Sequence, residues 1–215
     1  MRYELYYWSG IQGRGEFVRL ALEDAGADYV NREPVEKKSM FAPPFLRAGA
    51  LLIGQTANIL HYLGPRLRLA PKAEPRRLWL NQQQLTIADW LVEVHDTHHP
   101  IASSLYYEDQ RREAKRRAAI FRKERLPKFM QYFEKNIQPP REPITYVDLS
   151  LFQMIEGLRF AFPEAMSRLE GKYPKLLKLH RRVAERPRIA AYLGSGRRIP
   201  FNQLGIFRHY PELDG

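Results

Sequence analysis

A change of hydrophobic period partway along the chain limits this sequence to a few architectures. Up to about residue 63, short apolar runs alternate with helical stripes; beyond residue 76 nothing reads as a strand. Tyr3 to Trp8 is rich in aromatics and short enough for a buried strand. After the turn Ser9-Gly10-Ile11-Gln12-Gly13, Phe17, Leu20 and Ala21 form an apolar helical stripe, which Gly26 ends. Ala27 to Arg32 returns as a second strand. Phe45 to Arg47 and Leu51 to Ile53, around Ala48-Gly49, read as a hairpin, and Thr56 to Leu63 as a helix stopped by Gly64-Pro65. Residues 1–65 are therefore predicted as an α/β unit, and Arg66 to Pro75, with its two prolines, as a linker. Helical periods then recur in Leu78 to Val94, in Asp109 to Lys135, through Leu151, Ile155 and Leu158, and through Leu176, Leu179 and Val183. This predicts an all-helical unit over residues 76–215, with the tail Arg197 to Gly215 wrapping irregularly over it.

The 215 residues include no cysteine, which excludes disulfides, thiolate metal sites, a cysteine nucleophile and a dithiol redox motif. Any thiol chemistry must use a substrate's sulfur. No run reaches the roughly 18 apolar residues of a membrane span, and the start MRYELYYWSG lacks an apolar stretch behind a basic one, so a cytoplasmic protein is expected. The net charge of +11 favours anionic partners. Much of it lies in Arg111 to Arg125, which reads first as a solvated helix face. His95, His98 and His99 share a helical face, but no neighbouring carboxylate has an evident orienting role and Pro100 closes the segment, so the reading is against a metal site. Thr145 and Asp148 form a [ST]-x-x-[DE] box ahead of an apolar helix, a folding device.

Two features bear on chemistry. A helix beginning at Gln55-Thr56 presents free N–H groups and the positive end of its dipole, so Thr56 either holds a carboxylate with its N–H and hydroxyl or only caps the helix. Tyr6 and Tyr7 lie on opposite faces of the first strand, so only one of them can serve a given site.

Four segments resemble the tyrosine-type cytosolic glutathione transferases in order and spacing: Tyr7-Trp8 with Gly13-Arg14-Gly15-Glu16, Pro44 before the hairpin, Gln55-Thr56 opening a helix, and Ile144-Thr145-Tyr146-Val147-Asp148. The resemblance covers nearly the whole chain. It implies a thioredoxin-like glutathione-binding domain (1–65), a linker (66–75) and a C-terminal helical bundle (76–215). It also implies activation of the glutathione thiol for conjugation to a small hydrophobic electrophile, by a homodimer without prosthetic group, membrane or nucleic acid, with glutathione as co-substrate. Tyr7 would be the hydroxyl donor to the sulfur. The count back from Arg19 gives one residue more than usual, which leaves Tyr6 and Ser9 as alternatives. Arg14 would supply a cation near the thiolate, and Gln55 and Thr56 would cradle the γ-glutamyl carboxylate. Pro44 would follow a cis bond, with Pro43 offering glutathione a carbonyl but no N–H. Asp89 would reach the partner subunit's γ-glutamyl amine, with Glu93 and Asp96 as alternatives. Lys37 and Lys38 are the candidates for the glycyl end, and Trp8, Tyr106, Tyr107 and Phe207 for aromatic lining of the electrophile site. The rival expectation is a non-catalytic module of the same fold that binds hydrophobic ligands or associates with protein or nucleic acid.

Overall fold

The computed structural model describes residues 1–34, 40–137 and 143–215. β1 (Tyr3–Tyr6) leads through α1 (Gly15–Ala25) to β2 (Tyr29–Arg32), followed by β3 (Phe45–Ala48), β4 (Leu51–Gly54) and α2 (Thr56–Arg66). The sheet order is β2-β1-β3-β4, with β1 parallel to β2 (Tyr3 opposite Tyr29) and antiparallel to β3 (Leu5 opposite Leu46). The parallel pair requires a crossover, which α1 provides. α1 is apolar on two sides because it is covered on two sides: Val18 and Leu22 join the sheet's core, while Phe17, Leu20 and Ala21 join the core of the helical half. Gly26 ends it at φ 62°, a left-handed conformation that favours glycine, with the Arg188 guanidinium lying over it.

α2 departs from the expectation that Gly64-Pro65 would stop it. It continues to Arg66 with Pro65 inside, and the Leu67 N–H caps it on Leu63 O at 2.8 Å. Proline removes one donor, crowds the carbonyl four residues back and disfavours the helical region for the residue before it, a cost that a last turn held from outside can bear. That hold comes from Tyr146 and Ala70, which lie so close to Gly64 that a Cβ there would meet each at 2.9 Å.

The helical half comprises α3 (Glu74–Asp96), a 3-10 turn at Tyr107–Gln110, α4 (Arg111–Ile120), α5 (Leu126–Asn136), α6 (Tyr146–Ala161), α7 (Pro163–Leu169), α8 (Pro174–Ala184) and α9 (Pro187–Leu193). A π turn at Phe121–Arg125 joins α4 to α5 just before Pro127, where a missing N–H interrupts the regular ladder. Trp90 is fully buried between Phe129 and Phe133, with ring centroids at 5.2 and 5.7 Å. The tail is mostly irregular and ends in one helical turn, α10 (Pro211–Asp214). Its Asp214 carboxylate accepts from the backbone N–H groups of Glu164 and Ala165 at 2.7 and 3.0 Å and so caps α7. No described helix is long and apolar enough to cross a membrane.

The Thr145–Asp148 box forms. Asp148 Oδ2 accepts from the Thr145 N–H at 2.7 Å and its hydroxyl at 2.8 Å, and the Asp148 N–H reaches Thr145 Oγ1 at 3.4 Å. Asp148 is buried, and burial pushes its pKa up against the hydrogen bonds that pull it down. Asp148→Ala should cost about 1–2 kcal/mol and lower the melting temperature by about 2–8 °C. Calorimetry checks this, and an unaltered transition would show that the box contributes nothing.

The basic stretch is less solvated than its composition predicts. Arg125 Nη2 pairs with Glu93 Oε1 at 2.6 Å, and Arg117 approaches the same carboxylate at 3.5 Å. Arg122 donates to the Asp214 and Gly215 carbonyls, and Arg111 lies 5.5 Å over the Tyr107 ring. Four of its cations thus have internal partners.

Candidate active site

Just past β1, the Tyr7 N–H bonds Arg32 O at 3.0 Å and its side chain turns under the loop that enters α1. Only 3% exposed, its phenol oxygen accepts the Arg14 N–H at 2.9 Å. The loop rests directly on the ring: a Cβ on Gly13 (φ 45°) would sit 2.1 Å from the hydroxyl, and one on Gly15 2.7 Å from the ring carbons. Glycine is therefore required on both sides of Arg14. Burial pushes the Tyr7 phenol above its usual pKa, against the Arg14 N–H and the Arg14 and Arg19 charges, which pull the other way. At neutral pH it is a hydrogen-bond donor and not a base.

Tyr6 faces the opposite way, stacked on Phe45 at 4.7 Å, with its hydroxyl donated to Glu4 Oε2 at 2.8 Å. Ser9 and Trp8 are exposed, Trp8 with its ring edge-on to Tyr7 at 5.0 Å.

A cavity of about 380 Å³ opens at the start of α2 and is closed from the other side by α3. Arg14, Gln55 and Thr56 line it together with His61, Asn81 and Gln84. Gln55 holds φ 67°, a left-handed value that costs a non-glycine residue about 1–3 kcal/mol and concentrates at functional sites. Two oxygens there are buried without a hydrogen-bond partner among the described residues: Thr56 Oγ1 and Gln84 Oε1, the latter on a side chain that is 2% exposed. A buried acceptor or hydroxyl left unpaired costs about 1–3 kcal/mol, so a ligand supplying partners for both would recover that energy.

The other described sequence candidates do not line this cavity. Tyr7 is separated from it by the Arg14 turn, so that Arg14 touches both: its backbone holds the phenol and its residue lines the cavity. The Pro43–Pro44 bond is cis and leads into β3, with Pro44 buried. Asp89 is exposed on α3, one residue beyond the lining Ala88. Lys37 and Lys38 fall outside the described residues.

Two aromatic assignments are corrected. Tyr107, stacked on Tyr210 at 3.8 Å, and Phe207, packed against Gly157, are both 2% exposed and belong to the core. The tail folds back, covering Tyr107 with Tyr210 and burying its own Phe207 against Gly157, a long-range event that no local pattern reports. Gln84 escaped the sequence reading because a glutamine inside Asn81-Gln82-Gln83-Gln84 resembles a solvated face. The usable signal was that four uncharged amides interrupt the amphipathic period.

His95, His98 and His99 cluster at the end of α3, with ring centroids 4.7–5.1 Å apart. His98 Nε2 meets Ile206 O at 2.8 Å, so it carries the proton there, and His98 Nδ1 accepts from His99 Nδ1. Burial, with nearby Arg208, lowers them to about 4, about 3 and about 4, and all three are neutral at pH 7. Among the described residues no three His, Asp or Glu side chains are disposed to hold a metal ion.

Residues 95–196 match the family of the glutathione S-transferase C-terminal domain. The chain is 24% identical to a glutathione S-transferase of Plasmodium yoelii yoelii over 80% of this chain and 77% of that protein. It is 23% identical to one of Plasmodium falciparum (isolate 3D7) over 88% and 93%. Its fold is that of a Pi-class glutathione S-transferase of Onchocerca volvulus, with TM-score 0.69 and 23% identity over 90% of this chain and 92% of that one. Prostaglandin synthase D of Nilaparvata lugens has the same fold, with TM-score 0.73 and 19% identity over 93% and 100%. The domain match, the relatives and the shared fold agree with the segments around Tyr7, Pro44, Thr56 and Asp148: residues 95–196 match the C-terminal domain of the glutathione S-transferases, and the chain as a whole has the glutathione S-transferase fold.

Proposed function

We propose that this protein is a cytoplasmic glutathione transferase that binds glutathione in the cavity at the start of α2 and activates its thiol for attack on a small hydrophobic electrophile. Residues 1–65 form the glutathione-binding unit and the helical half from residue 76 supplies the electrophile's side. The observation that carries this reading is the pair of buried oxygens, one on each side of the cavity, that have no hydrogen-bond partner among the described residues. The Thr56 hydroxyl can donate to a carboxylate already favoured by the N–H groups and dipole of α2, while Gln84 Oε1 can accept from an ammonium. A carboxylate and an ammonium on one carbon are the γ-glutamyl head of glutathione. A cavity of about 380 Å³ suits a small peptide, and Arg14 would bring the sulfur towards the Tyr7 hydroxyl. Pro43 offers the cysteinyl part its carbonyl alone.

A second copy of the chain fits the surface beside the cavity. Leu78, Leu85 and Val92 are exposed at seven-residue intervals along α3, and Phe41 is 99% exposed. Asp89 lies on that stripe between Leu85 and Val92, where it would face the other copy, and Leu85 also lines the cavity. The rival reading, association with nucleic acid through the basic helix, is disfavoured by the internal partners of Arg111, Arg117, Arg122 and Arg125.

Titration calorimetry with glutathione tests the proposal. Thr56→Val keeps the shape and removes the hydroxyl, and should weaken binding about tenfold, as for one hydrogen bond to a charged group. An affinity untouched by this change, or no binding to the parent protein, would remove the γ-glutamyl assignment. Light scattering on the same samples should return the mass of two chains.

A further inference from the structure

On the side of the molecule defined by the ends of α2 and α8 lies a second cleft, of about 460 Å³, whose composition the glutathione reading does not use. Five arginines line it: Arg66 and Arg68 from the end of α2 and the segment after it, Arg182 from α8, and Arg186 and Arg188 from the turn into α9. Among the described residues that line the cleft the one carboxylate is that of Asp24, which is already engaged, and the buried Asp148 lies near enough to Arg182 and Arg186 to feel their charge. Arg186 grips both oxygens of Asp24, Nη2 meeting Oδ2 at 2.9 Å, while Arg188 Nη1 bonds the Asp24 carbonyl at 3.3 Å. Arg66 is braced by its own helix, bonding Tyr62 O at 2.9 Å and lying 3.8 Å over the Tyr62 ring. Arg68 makes no hydrogen bond or ion pair among the described residues, yet its backbone is held at φ 60°, a left-handed conformation that a side chain disfavours. Guanidinium groups converge here from three separate segments, and an anion with several oxygens can use the donors in their forks that remain after the contacts within the protein, those of Arg68 above all.

The cleft continues past Arg68 and Pro143–Ile144 into a recess of about 280 Å³ floored by Trp79, Leu80 and Pro71, with Lys72 at its edge. A charged end adjoining an apolar, aromatic one selects an amphipathic ligand. A concave site of this size takes a small molecule rather than a long polyanion.

The geometry points to a binding site for an organic diphosphate, its phosphates held by Arg66, Arg68 and Arg182 and a flat apolar group resting against Trp79. The site is separate from the glutathione cavity, and the two readings stand or fall independently.

Titration calorimetry of the full chain with inorganic pyrophosphate, and then with adenosine diphosphate as a probe of both halves, tests it. Pyrophosphate should bind one to one. Arg68→Glu, a change at an exposed side chain, should weaken it at least tenfold, and Arg182→Glu should do the same. Arg14→Ala, in the other cavity, should leave it unchanged. Adenosine diphosphate should bind more tightly than pyrophosphate, and Trp79→Ala should remove that margin alone. The absence of pyrophosphate binding would overturn the site, as would equal affinity in both charge-reversed variants or loss of binding in Arg14→Ala. Equal affinity for the two probes would overturn the organic part. A single-stranded oligonucleotide that binds at these arginines and resists displacement by pyrophosphate would replace the small ligand with nucleic acid and refute the proposal.

Discussion

Tyr7→Phe should slow glutathione conjugation to a generic aryl halide by about 6- to 50-fold at pH 6.5 and move the midpoint of the pH–rate profile upward by about two units. A free thiol of pKa about 8.5 is only about 1% thiolate at pH 6.5, whereas one lowered to about 6.5 is half ionised, which sets the upper figure. The more basic thiolate of the variant is the better nucleophile, which returns part of the loss and sets the lower one. The phenol is placed to act this way because it lies above its ordinary pKa and stays protonated. Its oxygen already accepts the Arg14 N–H, so its own hydrogen is free for the sulfur. Phenylalanine keeps the ring under Gly13 and Gly15 and leaves one backbone N–H unpaired, so the fold should survive with a loss of about 1–3 kcal/mol. The sign is specific: the deficit closes as pH rises past about 8.5, where the thiol ionises unaided. If the variant's profile keeps the parent midpoint, the hydroxyl at the sulfur is not that of Tyr7. The exposed Ser9 then takes its place, with Ser9→Ala as the decisive variant.

What could be read from the sequence divides by range. The crossover α1, its stop at Gly26 and the box at Thr145–Asp148 were legible because each is decided by residues within a few positions of one another. The passage of α2 through Pro65 was not, since it depends on Tyr146 packing against Gly64 from 82 residues away. The burial of Tyr107 and Phe207 was hidden for the same reason: the tail that covers the first and carries the second has no periodicity. At the site, the helix start at Gln55-Thr56 announced itself through general helix physics, and Arg14 through its glycine neighbours; both line one cavity. Gln84 did not, because an amide's role is set by what it faces, and that is a tertiary fact. The basic stretch misled in the opposite direction: its charge was visible, but Glu93 and the chain's last carbonyls, which satisfy it, were far off in sequence.

Glu16→Ala should cost about 3–5 kcal/mol, the range for removing one partner of a buried ion pair, and should lower the melting temperature by about 6–20 °C. Glu16 is wholly buried in the first turn of α1, and its carboxylate is shared among three groups. Tyr192 OH donates to it at 3.0 Å, Arg19 Nη1 at 3.2 Å and Arg198 Nη1 at 3.3 Å. Arg19 is itself buried, so alanine would leave an uncompensated guanidinium inside the protein. That desolvated charge, more than the lost attraction, sets the size of the effect. The energetics therefore make a discriminating prediction: Glu16→Leu combined with Arg19→Met should be less damaging than Glu16→Ala alone. If the double variant is instead the worse of the two, ordinary packing loss, not a stranded charge, explains the single. The same cluster links stability to function. Gln12, in the turn over Tyr7, accepts from Gln153 at 2.7 Å and donates to the Ile199 carbonyl, and Arg198 reaches both Glu16 and Gln153. The tail and α6 thereby hold the Gly13-Arg14 turn on the phenol. Glu16→Ala should accordingly also weaken glutathione binding at a temperature where the variant remains folded, while Asp148→Ala, in a separate cap, should not.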